Sequence, residues 1–184
     1  MFGDGIFGDA TANQIDGGLG NDTLSGRGGN DGLTGGAGND VIYGGDGADW
    51  LVADAGADRL IGDAGADVLI GGDGIDTLEG GGGTDTLFGG SGADQFRHDG
   101  LVADGFDWVM DYVAGQGDTL VFNIAGASRA QFSVSYALIE GAGGASAEAL
   151  ITYLPTGQQL WSITDGALMT EIMLRLGAST FDLV

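Results

Sequence analysis

Aspartate returns every nine residues along half of this chain, at Asp22, Asp31, Asp40, Asp49, Asp58, Asp67, Asp76, Asp85 and Asp94. Evenly spaced carboxylates suit a hard divalent cation such as Ca²⁺, which favours carboxylate and backbone-carbonyl oxygens in a flexible shell. Mg²⁺ suits them less, because it resists dehydration and demands an octahedron. Competing chemistries lack their residues. His98 is the one histidine, so neither an HExxH zinc helix nor a Ser-His-Asp triad can be assembled, and His98 reads as a surface or cap residue. There is no lysine for a phosphate-binding loop and no cysteine for a thiolate site or disulfide. No EF-hand loop occurs. A pair of catalytic carboxylates draws no support from a chain that holds 27 acids.

The elements that position these aspartates are visible in the blocks around them. From Gly17 to Arg97 the sequence divides without a gap into nine nonapeptides, GGLGNDTLS through GGSGADQFR. The fourth place is always Gly, the sixth always Asp, and the eighth always large and apolar, from Leu24 to Phe96. Upstream the register decays: residues 8–16 carry Asn13 at the aspartate place, and Asp4 and Ile6 belong to a block whose beginning is missing. Met1 thus falls inside a repeat, and the chain is expected to be part of a longer protein.

Composition narrows the partners. The formal net charge is −22, with five arginines as the only Lys or Arg; nucleic acid, whose backbone needs a basic surface, is excluded. A hydrophobic content of 43% is too high for a disordered acidic tail, so a flexible Gly-rich linker is the weaker reading. The opening MFGDGIFGDA is not a signal peptide, and no apolar run reaches the length of a membrane span.

Each block reads as six turn residues and a three-residue strand. Such strands must pair with the blocks above and below, which turns Leu24, Leu33, Ile42, Leu51, Leu60, Leu69, Leu78, Leu87 and Phe96 into one interior seam. Stacking also places the aspartates in columns about 4.8 Å apart. At an effective dielectric near 20, two carboxylates at that spacing repel by roughly 3 kcal/mol. The unliganded stack should therefore be unstable, and a cation between turns reverses the sign.

The pattern GGxGxDxUx resembles the nonapeptide of RTX, or hemolysin-type calcium-binding, proteins. The resemblance implies an all-β fold, a right-handed parallel β-roll over residues 1–97 (full repeats 17–97, degenerate repeats 1–16) followed by a β-rich cap over 98–184. It further implies Ca²⁺ as cofactor, with each ion joining blocks n and n+2. The earlier block would give its second- and fourth-place carbonyls and its Asp; the later would give its first- and third-place carbonyls and its Asp. The first site carried over is Gly18, Gly20, Asp22, Gly35, Ala37 and Asp40; the second, on the opposite edge, is Arg27, Gly29, Asp31, Gly44, Asp46 and Asp49. Gly36, Gly38, Asp40, Ala53, Ala55 and Asp58 follow, then Gly45, Gly47, Asp49, Gly62, Ala64 and Asp67. The next are Asp54, Gly56, Asp58, Gly71, Asp73 and Asp76, and Asp63, Gly65, Asp67, Gly80, Gly82 and Asp85. Gly72, Gly74, Asp76, Gly89, Ser91 and Asp94 complete a seventh, and Asp4, Gly17 and Leu19 would join Asp22 in a partial end site. Arg27, Asp54 and Asp63 depart from the second-place Gly and Ala53 from the first, which questions turn geometry there but leaves carbonyl ligands in place.

Beyond Arg97 the period stops. Strands are expected at Trp108–Tyr112, Thr119–Asn123, Gln131–Tyr136, Ala149–Leu154, Gln159–Thr164 and Glu171–Leu176, with a loop at 141–146 and a turn at Leu154-Pro155-Thr156-Gly157. Asp107, Asp111 and Asp118 read as turn or capping residues before metal ligands. GADQF at 92–96 with DWVMDYVAGQGDTLVF at 107–122 resembles the segment that closes the roll in RTX proteases and epimerases. Phe181-Asp182-Leu183-Val184 resembles a type I secretion tail, placed at about 179–184. The implied function is a non-catalytic module that folds on Ca²⁺ outside the cell, after export of a larger protein by a type I ABC transporter complex; the location is secreted, extracellular or cell-surface. The alternatives are a module binding polysaccharide or a cell surface, or the C-terminal part of a secreted protease, lipase or epimerase. If alternate blocks form opposite sheets, Trp50, Val68, Ile70 and Phe88 make an apolar patch on one of them, a surface for self-association or a ligand. Coverage by the cap is the favoured reading of that patch.

Overall fold

The structure is a computed structural model that describes residues 2–98 and 105–122 and the strands 132–141, 144–153, 158–164, 173–176 and 179–182. It is all-β: two nine-stranded sheets wound as a parallel β-roll. The first sheet starts with β1 (Gly5–Phe7), β3 (Thr23–Gly28), β5 (Val41–Asp46), β7 (Arg59–Gly65), β9 (Thr77–Gly83) and β11 (Gln95–His98). Facing it are β2 (Gln14–Leu19), β4 (Gly32–Ala37), β6 (Trp50–Gly56), β8 (Val68–Gly74) and β10 (Thr86–Ser91). Consecutive blocks thus alternate between sheets, and each strand pairs in parallel with the strand 18 residues away, Leu24 with Ile42 and Leu33 with Leu51.

The strands are longer than the expected triplet. From β2 to β10 they run six or seven residues, through the triplet and into the first three or four places of the next block. Pairing skips the first place, as between Ser25–Tyr43 and Arg27–Gly45. The eighth-place residues from Leu24 to Phe96 are buried to at most 1% exposure and form a single core. Shape explains the glycines. The fourth place has φ between 100° and 155° from Gly20 to Gly92, and a Cβ there would strike a backbone carbonyl of the preceding stacked turn. Arg27, Asp54 and Asp63 hold the same left-handed conformation as the second-place glycines, with φ of 78°, 72° and 71°. The turn is thus kept at those places at a cost on the order of 1–3 kcal/mol each.

The stack continues past Arg97. β12 (Asp107–Val109) pairs in parallel with β10, and β13 (Thr119–Phe122) with β11. The sequence reading ran the first of these to Tyr112; the chain bends away after Val109 because Asp111 turns back onto β10. β14 (Phe132–Gly141), β15 (Gly144–Tyr153) and β16 (Gln158–Thr164) form an antiparallel extension that joins β12 edge to edge. β17 (Met173–Leu176) and β18 (Ser179–Asp182) extend the other sheet beside β13. The expected loop at 141–146 is instead a close connection, with Gly141 and Gly144 paired as the last rung of β14–β15. The expected turn at 154–157, with Asn123, Gln131, Glu171, Leu183 and Val184, lies outside the described residues.

These late strands lengthen the sheets rather than covering their faces. Coverage of the apolar patch is therefore corrected: Trp50 is 53% exposed, while Val68, Ile70 and Phe88 are half-buried by neighbours in their own sheet. The opposite face carries charge, with Glu79 between Arg59 at 3.6 Å and Arg97 at 3.8 Å.

Candidate metal centre

Each repeat aspartate sits in the turn that leads into its strand, and the stack fixes three of its polar groups. Its carbonyl accepts from the seventh-place N–H two blocks on, as Asp40 does from Arg59 at 2.9 Å. Its N–H donates to Oδ1 of the aspartate two blocks on: Asp22 to Asp40 at 2.7 Å, Asp31 to Asp49 at 2.7 Å, and Asp76 to Asp94 at 2.9 Å. These bonds make two columns. One runs Asp4, Asp22, Asp40, Asp58, Asp76, Asp94; the other runs Asn13, Asp31, Asp49, Asp67, Asp85. The nine repeat aspartates are at most 3% exposed.

The fourth polar group has no such partner. The Oδ2 atoms of Asp22, Asp31, Asp40, Asp49, Asp58, Asp67, Asp76 and Asp94 are buried and accept no hydrogen bond. A buried carboxylate without compensation is costly enough to shift its pKa. Burial, followed by the neighbouring carboxylates, pushes Asp58 and Asp94 up to about 6 and Asp67 and Asp76 up to about 7, against a partial opposing effect of the backbone N–H bonds. Asp40 and Asp49 are raised for the same first reason. Regular, oxygen-only, electron-rich and short of positive charge, these columns have the donor set that a hard divalent cation requires.

The first place bounds the same space. A Cβ built on Gly35, Gly44 or Gly71 would stand 2.5 Å from Oδ2 of its own block's aspartate, and 2.6–3.1 Å from the first-place carbonyl two blocks on. Glycine there leaves the gap between carboxylate and carbonyl open.

The RTX calcium-binding nonapeptide repeat matches residues 7–42, 25–60 and 61–96. The chain is an RTX repeat protein. No curated protein matches it. RTX repeats imply Ca²⁺ binding, and their β-roll is a structural, non-catalytic fold. RTX repeat proteins are typically secreted; among the described residues no helix is long and apolar enough to cross a membrane.

The RTX columns extend beyond the family match. Asp107 and Asp118 are buried and take the N–H of Asp85 at 3.3 Å and of Asp94 at 2.9 Å, so each adds a rung to one column. The fourth-place contact recurs at Gly105, whose Cβ would meet the Gly83 carbonyl. The sequence signal was present as Gly105-Phe106-Asp107-Trp108-Val109, which keeps G-x-D-x-apolar, but insertions move these aspartates 22 and 24 residues from their partners and hide the period. Asp118 also accepts from Val113 N–H at 2.8 Å, and Asp111 accepts from Gly89 and Gly90 at 2.8 and 2.9 Å. Gln116 Oε1 takes Gly92 N–H at 3.1 Å, where Ala37 and Ala55 supply carbonyls in the earlier turns of that edge. Side chains of 111–118 thus stand in for the missing next turn. His98 is buried, with its ring 6.0 Å from that of Phe122, a cap position rather than a surface one.

Proposed function

We propose that this chain is a Ca²⁺-triggered folding module of an exported protein, carrying seven complete ion sites on residues 18–94. The observation that carries the reading is the run of buried Oδ2 atoms without hydrogen-bond donors, which an ion bridging blocks n and n+2 would neutralise. The ligands are the aspartates and turn carbonyls named for the seven sites, with a partial site at Asp4, Gly17, Leu19 and Asp22. Residues 1–97 form the roll, and 98–184 cap it and end in a type I secretion signal at about 179–184. Scarce Ca²⁺ in the cytosol keeps the repeats unfolded for passage through a type I ABC transporter complex; Ca²⁺ outside the cell folds them. The upstream part of the exported protein supplies any catalytic activity.

Circular dichroism tests this directly. In EGTA at pH 8 the spectrum should be that of a mostly unfolded chain; millimolar CaCl₂ should restore β signal, and Mg²⁺ should not. A fully folded roll in EGTA would sink the reading. One observation favours a second function beside the first: the half-exposed Trp50 on an apolar sheet face suits a polysaccharide or cell-surface ligand, or a second copy of the chain. Loss of that binding in Trp50→Ser, with the fold intact, is the corresponding measurement.

A further inference from the structure

The seven sites are not equivalent, because one first place is not glycine. In the stack the first-place Cβ position lies between two oxygens of one site: the block's own aspartate Oδ2 and the first-place carbonyl two blocks on. For Gly71 these are Asp76 Oδ2 at 2.5 Å and the Gly89 carbonyl at 2.6 Å; for Gly44 they are Asp49 Oδ2 at 2.5 Å and the Gly62 carbonyl at 2.7 Å. In block five the position is filled. Ala53 carries a real methyl there, fully buried and counted among the core residues. By the same register its neighbours are Asp58 Oδ2, which is buried and accepts no hydrogen bond, and the Gly71 carbonyl.

A methyl carbon cannot approach oxygen as closely as those open positions stand, so the turn must give way around it. An adjustment is visible next to Ala53. On the side of the preceding Asp40–Asp58 gap its carbonyl lies 3.1 Å from the Cβ position of Gly35, whereas the carbonyls of Gly35, Gly44, Gly62 and Gly89 lie 2.6–2.7 Å from the corresponding positions of Gly17, Gly26, Gly44 and Gly71, so the backbone at Ala53 is displaced. The methyl also supplies no lone pair and excludes water, so an ion between blocks five and seven would lie beside an apolar group where the other sites keep open space.

We propose that Ala53 makes the Asp58–Asp76 site the weakest of the complete Ca²⁺ sites, so that its ion is the first of the seven to leave. This rests on the RTX ligand assignment above. Ala53 acts as a positioning residue: it spaces two ligands and is itself a ligand only through its carbonyl in the preceding site of the column.

Native mass spectrometry of the Ca²⁺-loaded chain, with free Ca²⁺ lowered stepwise by EGTA buffers, counts the retained ions. Relative to the parent, Ala53→Gly should lose one fewer ion in the first step, with the affinity of that site raised roughly fivefold or more by removal of the misfit. Gly71→Ala puts a methyl into the Asp76–Asp94 gap and should lose one ion more. A purely structural role predicts the opposite sign for Ala53→Gly, because glycine loosens the unfolded chain and gives up the buried methyl. An unchanged or larger first step in Ala53→Gly, or loss of all ions together in the parent, overturns the proposal. A parent that retains no ions at all overturns the calcium assignment instead.

Discussion

Asp94 and Asp118 occupy successive rungs of one column, yet their carboxylates are satisfied differently. Both accept an aspartate N–H on Oδ1. At Asp94 the other oxygen is buried without a donor, whereas at Asp118 it takes the N–H of Val113. Asp111 is saturated in the same way by Gly89 and Gly90. The repeats thus leave one oxygen per rung for an external cation, while the segment that closes them uses the chain's own N–H groups. Within the stack the aspartate N–H groups, and fourth-place N–H groups such as those of Gly20, Gly38 and Gly47, are already committed to the next stacked block. A divalent cation suits the interior rungs, whose free oxygens have no such donor.

Removing a shared rung should sharpen that contrast most. In the proposed ligand assignment Asp49 serves the sites with Asp31 and with Asp67, so Asp49→Ala should leave two sites incomplete, at roughly the 3–5 kcal/mol seen when a buried charge loses its partner. Asp94→Ala breaks one complete site and should shift the Ca²⁺ midpoint of the circular-dichroism transition less. Equal midpoints would argue against shared ligands. Next in size is the N–H lock. Asp118→Ala strands the N–H groups of Asp94 and Val113 at about 1–3 kcal/mol for each one left unsatisfied. Its loss of melting temperature should persist in saturating Ca²⁺; full recovery with added Ca²⁺ would make Asp118 another metal ligand.

Protons should imitate calcium weakly. Asp58, Asp67, Asp76 and Asp94 have folded pKa values raised to about 6–7, against about 3.9 for an unfolded aspartate. In that window the folded chain holds more protons than the unfolded one, so stability of the Ca²⁺-free fold falls as pH rises from about 4 to 7. In EGTA, β signal should grow on acidification from pH 7.5 to 5, while the Ca²⁺ midpoint should rise over the same range as protons compete. A pH-independent midpoint would contradict buried carboxylate ligands. The smallest effect belongs to the open sheet face: Trp50→Ser, at a half-exposed site, should change the stability of the loaded fold by no more than about 0.5 kcal/mol. A large loss in equilibrium unfolding would mean that Trp50 is covered after all.

Periodicity alone determined the repeat half. Three fixed places in nine blocks specify which residue is buried, which turn is left-handed and which carboxylate recurs, because in a solenoid every contact is made with the same place of a neighbouring block. That is why the interior seam from Leu24 to Phe96 and the stacking of the aspartates were legible from spacing, whereas the alternation of sheets, and with it the division into two columns, was implied by the resemblance to the RTX nonapeptide. Tertiary structure decided what depends on geometry across an irregular spacing. Insertions after Arg97 remove the period, so only the fold shows that Asp107 and Asp118 stand on the same columns, and that Asp111 and Gln116 replace a turn. The exposure of Trp50 was likewise undecidable from sequence, since apolar strands beyond residue 122 can pack over a sheet or extend it. They extend it, because β12 and β13 offer the unpaired backbone edges that strands bind most directly.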